Sequence, residues 1–182
     1  MKIIDNNTYL GCAENDYIYF LEDVNKGRVA NYLAAMAQSI CERYLKHIVE
    51  TQYEPTSTEE NADKMMSLKT HNLQKLFQTI EKHTKLHFTN ETKNNLRAIN
   101  GYYFSTRYPG EDYIDVDASD IEICKKAVEL CREEIMQYLD IVPTKEKQYD
   151  IDDILQRAKM NQNKEIHQDI YTQEKPHDEP MR

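Results

Sequence analysis

The sequence predicts an all-α chain: an antiparallel up-and-down bundle of four or five helices. Two observations predict it. Apolar residues recur every three or four positions in five separate windows, the spacing that lines up one face of an α-helix. Glycine and proline, which punctuate loops and strands, number only 4 and 5 in 182 residues, while charged residues make up 30%. That length is enough for a core without disulfide or metal staples. Taken whole, the bundle is expected over residues 14–141, with a short appended helix at 142–160 and a polar, mobile tail at 161–182.

Residues 1–13 are mixed in character and are expected to form a loose arm. Tyr17, Phe20, Leu21 and Val24 then mark a first helix from about 14 to 26, and Gly27 breaks it. The second helix, about 28 to 52, carries the stripe Val29, Leu33, Met36, Ile40, Tyr44 and Ile48, widened by Ala30, Ala34, Ala35 and Ala37. Gln38, Glu42 and Lys46 form a second row at four-residue steps. Such a row reads either as a solvated face with a weak ion pair or as the lining of a dimer cleft. Residues 53–69, with Glu54-Pro-Thr-Ser-Thr-Glu-Glu-Asn, read as a polar loop.

Thr70 is the expected N-cap of a third helix over about 71 to 86, with His71 in its first turn and Leu73, Leu76, Phe77 and Ile80 inward. A fourth helix is expected from Thr89 to Phe104 or Ser105. It stops at Arg107-Tyr108-Pro109-Gly110, where Pro109 bars Tyr108 from helical geometry. Asp117 or Ser119 opens the fifth helix, whose stripe Ile121, Cys124, Val128, Cys131, Ile135 and Leu139 ends before Pro143. Asp120 and Glu122 suit the positive end of that helix.

Several chemistries are excluded. The chain has no phosphate loop, dinucleotide fingerprint, His-Glu-x-x-His or Gly-x-Ser-x-Gly. The net charge of −9 disfavours sequence-blind binding along a phosphate backbone. His83 and His87 are spaced to share a metal, but without a nearby carboxylate the pair reads as surface, and no metal or cofactor is expected. Of Cys12, Cys41, Cys124 and Cys131, three fall on apolar helix faces and none makes a Cys-x-x-Cys, as for buried thiols. Met1-Lys-Ile-Ile runs straight into Asp5, with no signal segment, and no apolar run approaches a membrane span. A cytoplasmic, non-membrane protein is the expectation. Arg107, set among aromatics, either ties the turn to an acid such as Glu42 or binds a ligand by stacking and forked hydrogen bonds.

Three segments resemble the HEPN domain family of small stand-alone prokaryotic proteins. Ala34-Ala-Met-Ala-Gln-Ser-Ile-Cys-Glu-Arg-Tyr-Leu-Lys46 is similar to its Ala-Gln-x-x-x-Glu helix ending in Leu-Lys. Thr70-His-Asn-Leu-Gln-Lys-Leu76 is similar to its Thr-His-x-Leu-x-x-Leu helix start. Tyr103-Phe-Ser-Thr-Arg-Tyr-Pro109 is similar to its aromatic-Arg-Tyr-Pro turn. The resemblance implies a helical bundle, often homodimeric, found beside nucleotidyltransferases, in toxin–antitoxin pairs and in nucleic-acid defence. Some members are metal-independent ribonucleases with an Arg and a His separated by four to six residues. Here Arg43-Tyr-Leu-Lys-His47 has three residues between, and Arg107 has no His before His167. The resemblance with that mismatch implies a non-catalytic homodimer. It would bind a nucleotide, an RNA or other nucleic-acid segment, or a partner nucleotidyltransferase through Gln38, Glu42, Lys46, His71, Arg107 and Tyr108. The alternatives are a ribonuclease toxin using Arg43 with His47 or His71 with Arg107, and a structural adaptor.

Overall fold

The structure, a computed structural model, describes residues 7–139. The appended helix expected at 142–160 and the tail at 161–182 lie outside those residues. Among the described residues the regular structure is all helix: α1 (Tyr9–Asn25), α2 (Asn31–Gln52), α3 (Thr58–Lys69), α4 (Leu73–His83), α5 (Asn90–Ala98), α6 (Tyr102–Ser105) and α7 (Ala118–Tyr138). None of these helices is long and apolar enough to cross a membrane.

Helix α2 is the hub, packed against α1, α3, α4, α6 and α7. Leu33, Ile40, Tyr44 and Ile48 of its stripe are buried with Leu45, while Met36 is half-buried and Val29, just before the helix, is exposed; Ala34 and Ala37 let neighbouring helices approach. Phe20 of α1, Leu73, Leu76, Phe77 and Ile80 of α4, Leu96 of α5, and Val128, Cys131 and Ile135 of α7 complete one continuous core. Cys41, Cys124 and Cys131 are buried, as their apolar faces predicted. A buried polar clamp crosses the core. Arg132 of α7 forks onto Glu14 of α1 at 2.7 and 2.8 Å, Tyr44 of α2 also donates to Glu14, and the guanidinium lies over the Tyr17 ring.

Four boundaries differ from expectation, each for a local reason. The arm is helical from Tyr9, because the Thr8 side chain caps the Gly11 N–H and Leu10 and Ala13 are buried. The expected loop 53–69 holds α3. Ser57 accepts from the Glu60 N–H at 3.1 Å, and the Glu60 carboxylate reaches back to the Thr56 N–H and hydroxyl. This reciprocal arrangement resembles a capping box, and Ser57-x-x-Glu60 signals it in the sequence. The helix buries little besides Ser67, so apolar periodicity does not reveal it.

Thr70 ends α3 rather than starting α4. Its hydroxyl accepts from the Asn72 N–H, and Asn72 is the N-cap of α4. His71 therefore sits on an extended connector, not in a first helical turn. The expected fourth helix is split, because Gly101 has φ 116°, a left-handed conformation that glycine adopts without the cost other residues bear. Asn100-Gly101 is the signal for that break, and the Asn100 side chain caps the Leu73 N–H of α4.

Candidate functional site

The break at Gly101 builds the site. It lets α6 start a new direction, and the helix end is capped from elsewhere in the fold. Gln38 of α2, only 1% exposed, accepts from the Gly101 N–H at 2.9 Å and the Tyr103 N–H at 2.8 Å. Its amide nitrogen donates to the His71 carbonyl at 3.0 Å. One buried carboxamide thus fixes the connector that carries His71 and the turn that carries Tyr103.

Glu42, one helical turn along α2, holds the His71 side chain. Its oxygens lie 3.0 and 3.2 Å from His71 Nδ1, and Lys46 Nζ donates to it at 2.7 Å. An ionised carboxylate only accepts, so His71 Nδ1 carries the hydrogen and Nε2 is the outward nitrogen. Glu42 and Lys46 are buried, which corrects the expectation of a solvated row. The row faces the neighbouring helices, while the solvated side of α2 is the one that carries Tyr32, Arg43 and Glu50.

Beyond His71 the site becomes aromatic. The imidazole lies parallel to the Tyr103 ring, centroids 5.7 Å apart and planes 2° apart, and Phe104 meets both rings edge-on. The Arg107 guanidinium lies 4.2 Å from the Tyr103 centroid. Arg107 does not reach Glu42, whose carboxylate is taken by Lys46 and His71, so the tethering role considered for it is replaced by stacking. Phe104 is 53% and Tyr108 64% exposed, and the His71 side chain is half exposed. Tyr103 and Phe104 are the residues that the sequence reading missed. They sit inside the aromatic segment, but a helix running unbroken to residue 105 gives no reason to point them at His71.

The loop after Arg107 is pinned by Asn31 at the start of α2. Its Nδ2 donates to Tyr113 Oη at 2.8 Å and the Ile114 carbonyl at 3.1 Å, and its Oδ1 accepts from the Val116 N–H at 2.9 Å. The loop then closes on α7, where Asp117 and Asp120 form a capping box and Asp120 also accepts the Tyr102 hydroxyl. The aspartates there serve as caps.

The family model for the HEPN domain matches residues 62–142. That stretch is similar to a HEPN domain. The match runs from within α3 to the end of α7 and covers less than half of the chain. His71, Arg107 and Tyr108 lie inside the HEPN match, while Gln38, Glu42 and Lys46 reach it from α2, outside. No curated protein and no solved structure matches the chain.

Arg43 pairs with Asp16 of α1, and His47, on the same helix, has a buried Nδ1 without a hydrogen-bond partner among the described residues. Burial holds the His47 imidazole below its ordinary value of 6.5, with Glu50 opposing. His83 stacks on Tyr53 at 4.0 Å, and no group of three His, Cys, Asp or Glu among the described residues is placed to hold a metal.

Proposed function

We propose that this HEPN protein binds a nucleotide on the surface formed by His71, Tyr103, Phe104, Arg107 and Tyr108, without cutting nucleic acid. The observation that carries the reading is the stack itself. An outward imidazole, a parallel tyrosine and an exposed guanidinium form one continuous face, backed by the buried Gln38–Glu42–Lys46 row. Exposed rings offer stacking to any base, worth about 1–3 kcal/mol each, and a planar guanidinium suits a phosphate. The charge of −9 favours a small ligand over a long strand. Arg43 is engaged by Asp16, which weighs against ribonuclease chemistry by Arg43 and His47.

A second reading is contact with another protein, a second copy or a partner nucleotidyltransferase in a toxin–antitoxin or defence setting. Phe104, Tyr108, Tyr113 and Ile114 support it, since all four are large, apolar and exposed. Titration calorimetry of the full chain with adenosine, guanosine, cytidine and uridine monophosphates tests the first reading. Binding that weakens in Arg107→Ala, with melting temperature unchanged, is the expected outcome. Four flat titrations would refute it. Growth arrest on expression, relieved by His71→Ala, would restore the ribonuclease alternative.

A further inference from the structure

We propose that the groove between α3 and α4 is a docking site for an acidic amphipathic helix of a partner protein. The groove encloses about 400 Å³ and shares no residue with the aromatic face around His71. Asp63, Met66, Ser67 and Thr70 line it from α3 and its C-cap. Lys75, Gln78, Thr79 and Lys82 line it from α4. Each set has the spacing i, i+3, i+4, i+7, the positions that share one side of an α-helix. Two such faces side by side leave a trough into which a third helix lays a row of the same period.

The lining selects the chemistry of that helix. Lys75 and Lys82 are exposed and have no ion-pair or hydrogen-bond partner among the described residues. Asp63, the acid among the lining residues, is turned to His83, with 3.5 Å between Oδ2 and Nε2. Glu60 feels the Lys82 charge, but its carboxylate is committed to the Thr56 N–H and hydroxyl. Ser67 and Thr79 share one hydrogen bond at 3.1 Å, which leaves one of the two hydroxyl hydrogens to donate elsewhere. The groove thus offers donors and unpaired positive charge, in a chain whose net charge is −9. A negatively charged, acceptor-rich surface is its complement. Lys75 and Lys82 are two helical turns apart, about 10.5 Å, so carboxylates two turns apart on a helix laid along α4 meet both. Met66, 71% exposed, with Met65 beside it, adds an adaptable apolar contact that suits an apolar residue between the acids. A small free anion uses the lysines but leaves Met66 in water and the matched periods of the walls unused.

The test is selection of displayed peptides of about 16 residues, long enough for about four turns, on the full chain, followed by anisotropy titration of the labelled winner. The expected winners carry Asp or Glu seven residues apart around an apolar residue and gain helical circular dichroism on binding. Lys75→Glu combined with Lys82→Glu should weaken the winner about tenfold at unchanged melting temperature, since both side chains are exposed. Arg107→Ala should leave it unchanged, which separates this groove from the proposed nucleotide face. Added salt should weaken binding to the unmodified protein, a readout that needs no variant. Winners without acidic residues, affinity indifferent to salt or to the double charge reversal, or no winners at all overturn the proposal. Winners that bind without becoming helical overturn the helix assignment.

Discussion

Replacing Gln38 by leucine keeps most of the side-chain volume on α2 and removes three hydrogen bonds at once. The His71 carbonyl loses its donor, and the Gly101 and Tyr103 N–H groups lose their acceptor. A typical intramolecular hydrogen bond contributes about 1 kcal/mol net, and a buried group left unpaired costs about 1–3 kcal/mol. Gly101 and Tyr103 are part-exposed, so water takes up some of the released groups and the low end applies to them. The sum is a loss of about 2–4 kcal/mol, a large share of the roughly 5–15 kcal/mol that holds such a domain folded. In urea, with a slope near 2 kcal/mol per molar, the midpoint falls by about 1–2 M at unchanged slope. On the proposed reading the variant should also bind nucleotide poorly, because His71 and Tyr103 lose their common anchor. A loss below about 0.5 kcal/mol, the level of an ordinary surface change, would refute the clamp and with it the account of how the site is held.

Arg132→Ala should destabilise the fold by about 3 kcal/mol or more in the same assay, because it strands the buried Glu14 carboxylate; a change under 1 kcal/mol would show water reaching Glu14. Stability should also fall as the pH drops below 6.5. The unfolded chain takes a proton on His47 at its ordinary value while burial delays uptake in the fold, so acid favours the unfolded state. Melting temperatures between about pH 5 and 8 should drop less in His47→Gln, and parallel curves would refute this. Burial, aided by Asp120, pushes the Cys124 thiol up to about 12, and Cys41, beside Cys131, is raised well above its ordinary value. A thiol reagent should therefore label Cys41, Cys124 and Cys131 only after denaturant is added, and rapid labelling of them in the native protein would count against the packing around α2 and α7.

Much of the bundle is legible in the sequence because its signals are local. The stripes of α2, α4 and α7 repeat at helical spacing, Asp117 is a cap by residue type, Gly27 follows the end of α1, and Pro109 lies in the loop between α6 and α7. The errors are local too. Ser57-x-x-Glu60 marks α3, but a helix that buries so little shows no stripe, and Asn100-Gly101 marks the break that periodicity runs through.

What the sequence by itself determined is the all-α class, most of the core residues and the identity of the six polar residues worth watching. Only the tertiary structure decided their surroundings. Gln38, Glu42 and Lys46 are a buried support because α2 is surrounded by neighbours, a fact no single-helix pattern contains. His71 faces outward with Nδ1 tied because its connector is extended and clamped. Tyr103 and Phe104 join the site because a left-handed Gly101 redirects the chain by a turn. Arg107 stacks on Tyr103 instead of pairing with Glu42 because Lys46 and His71 already satisfy that carboxylate. Spacing along one chain orders residues on a face, but which charge meets which partner is set by helices far apart in sequence.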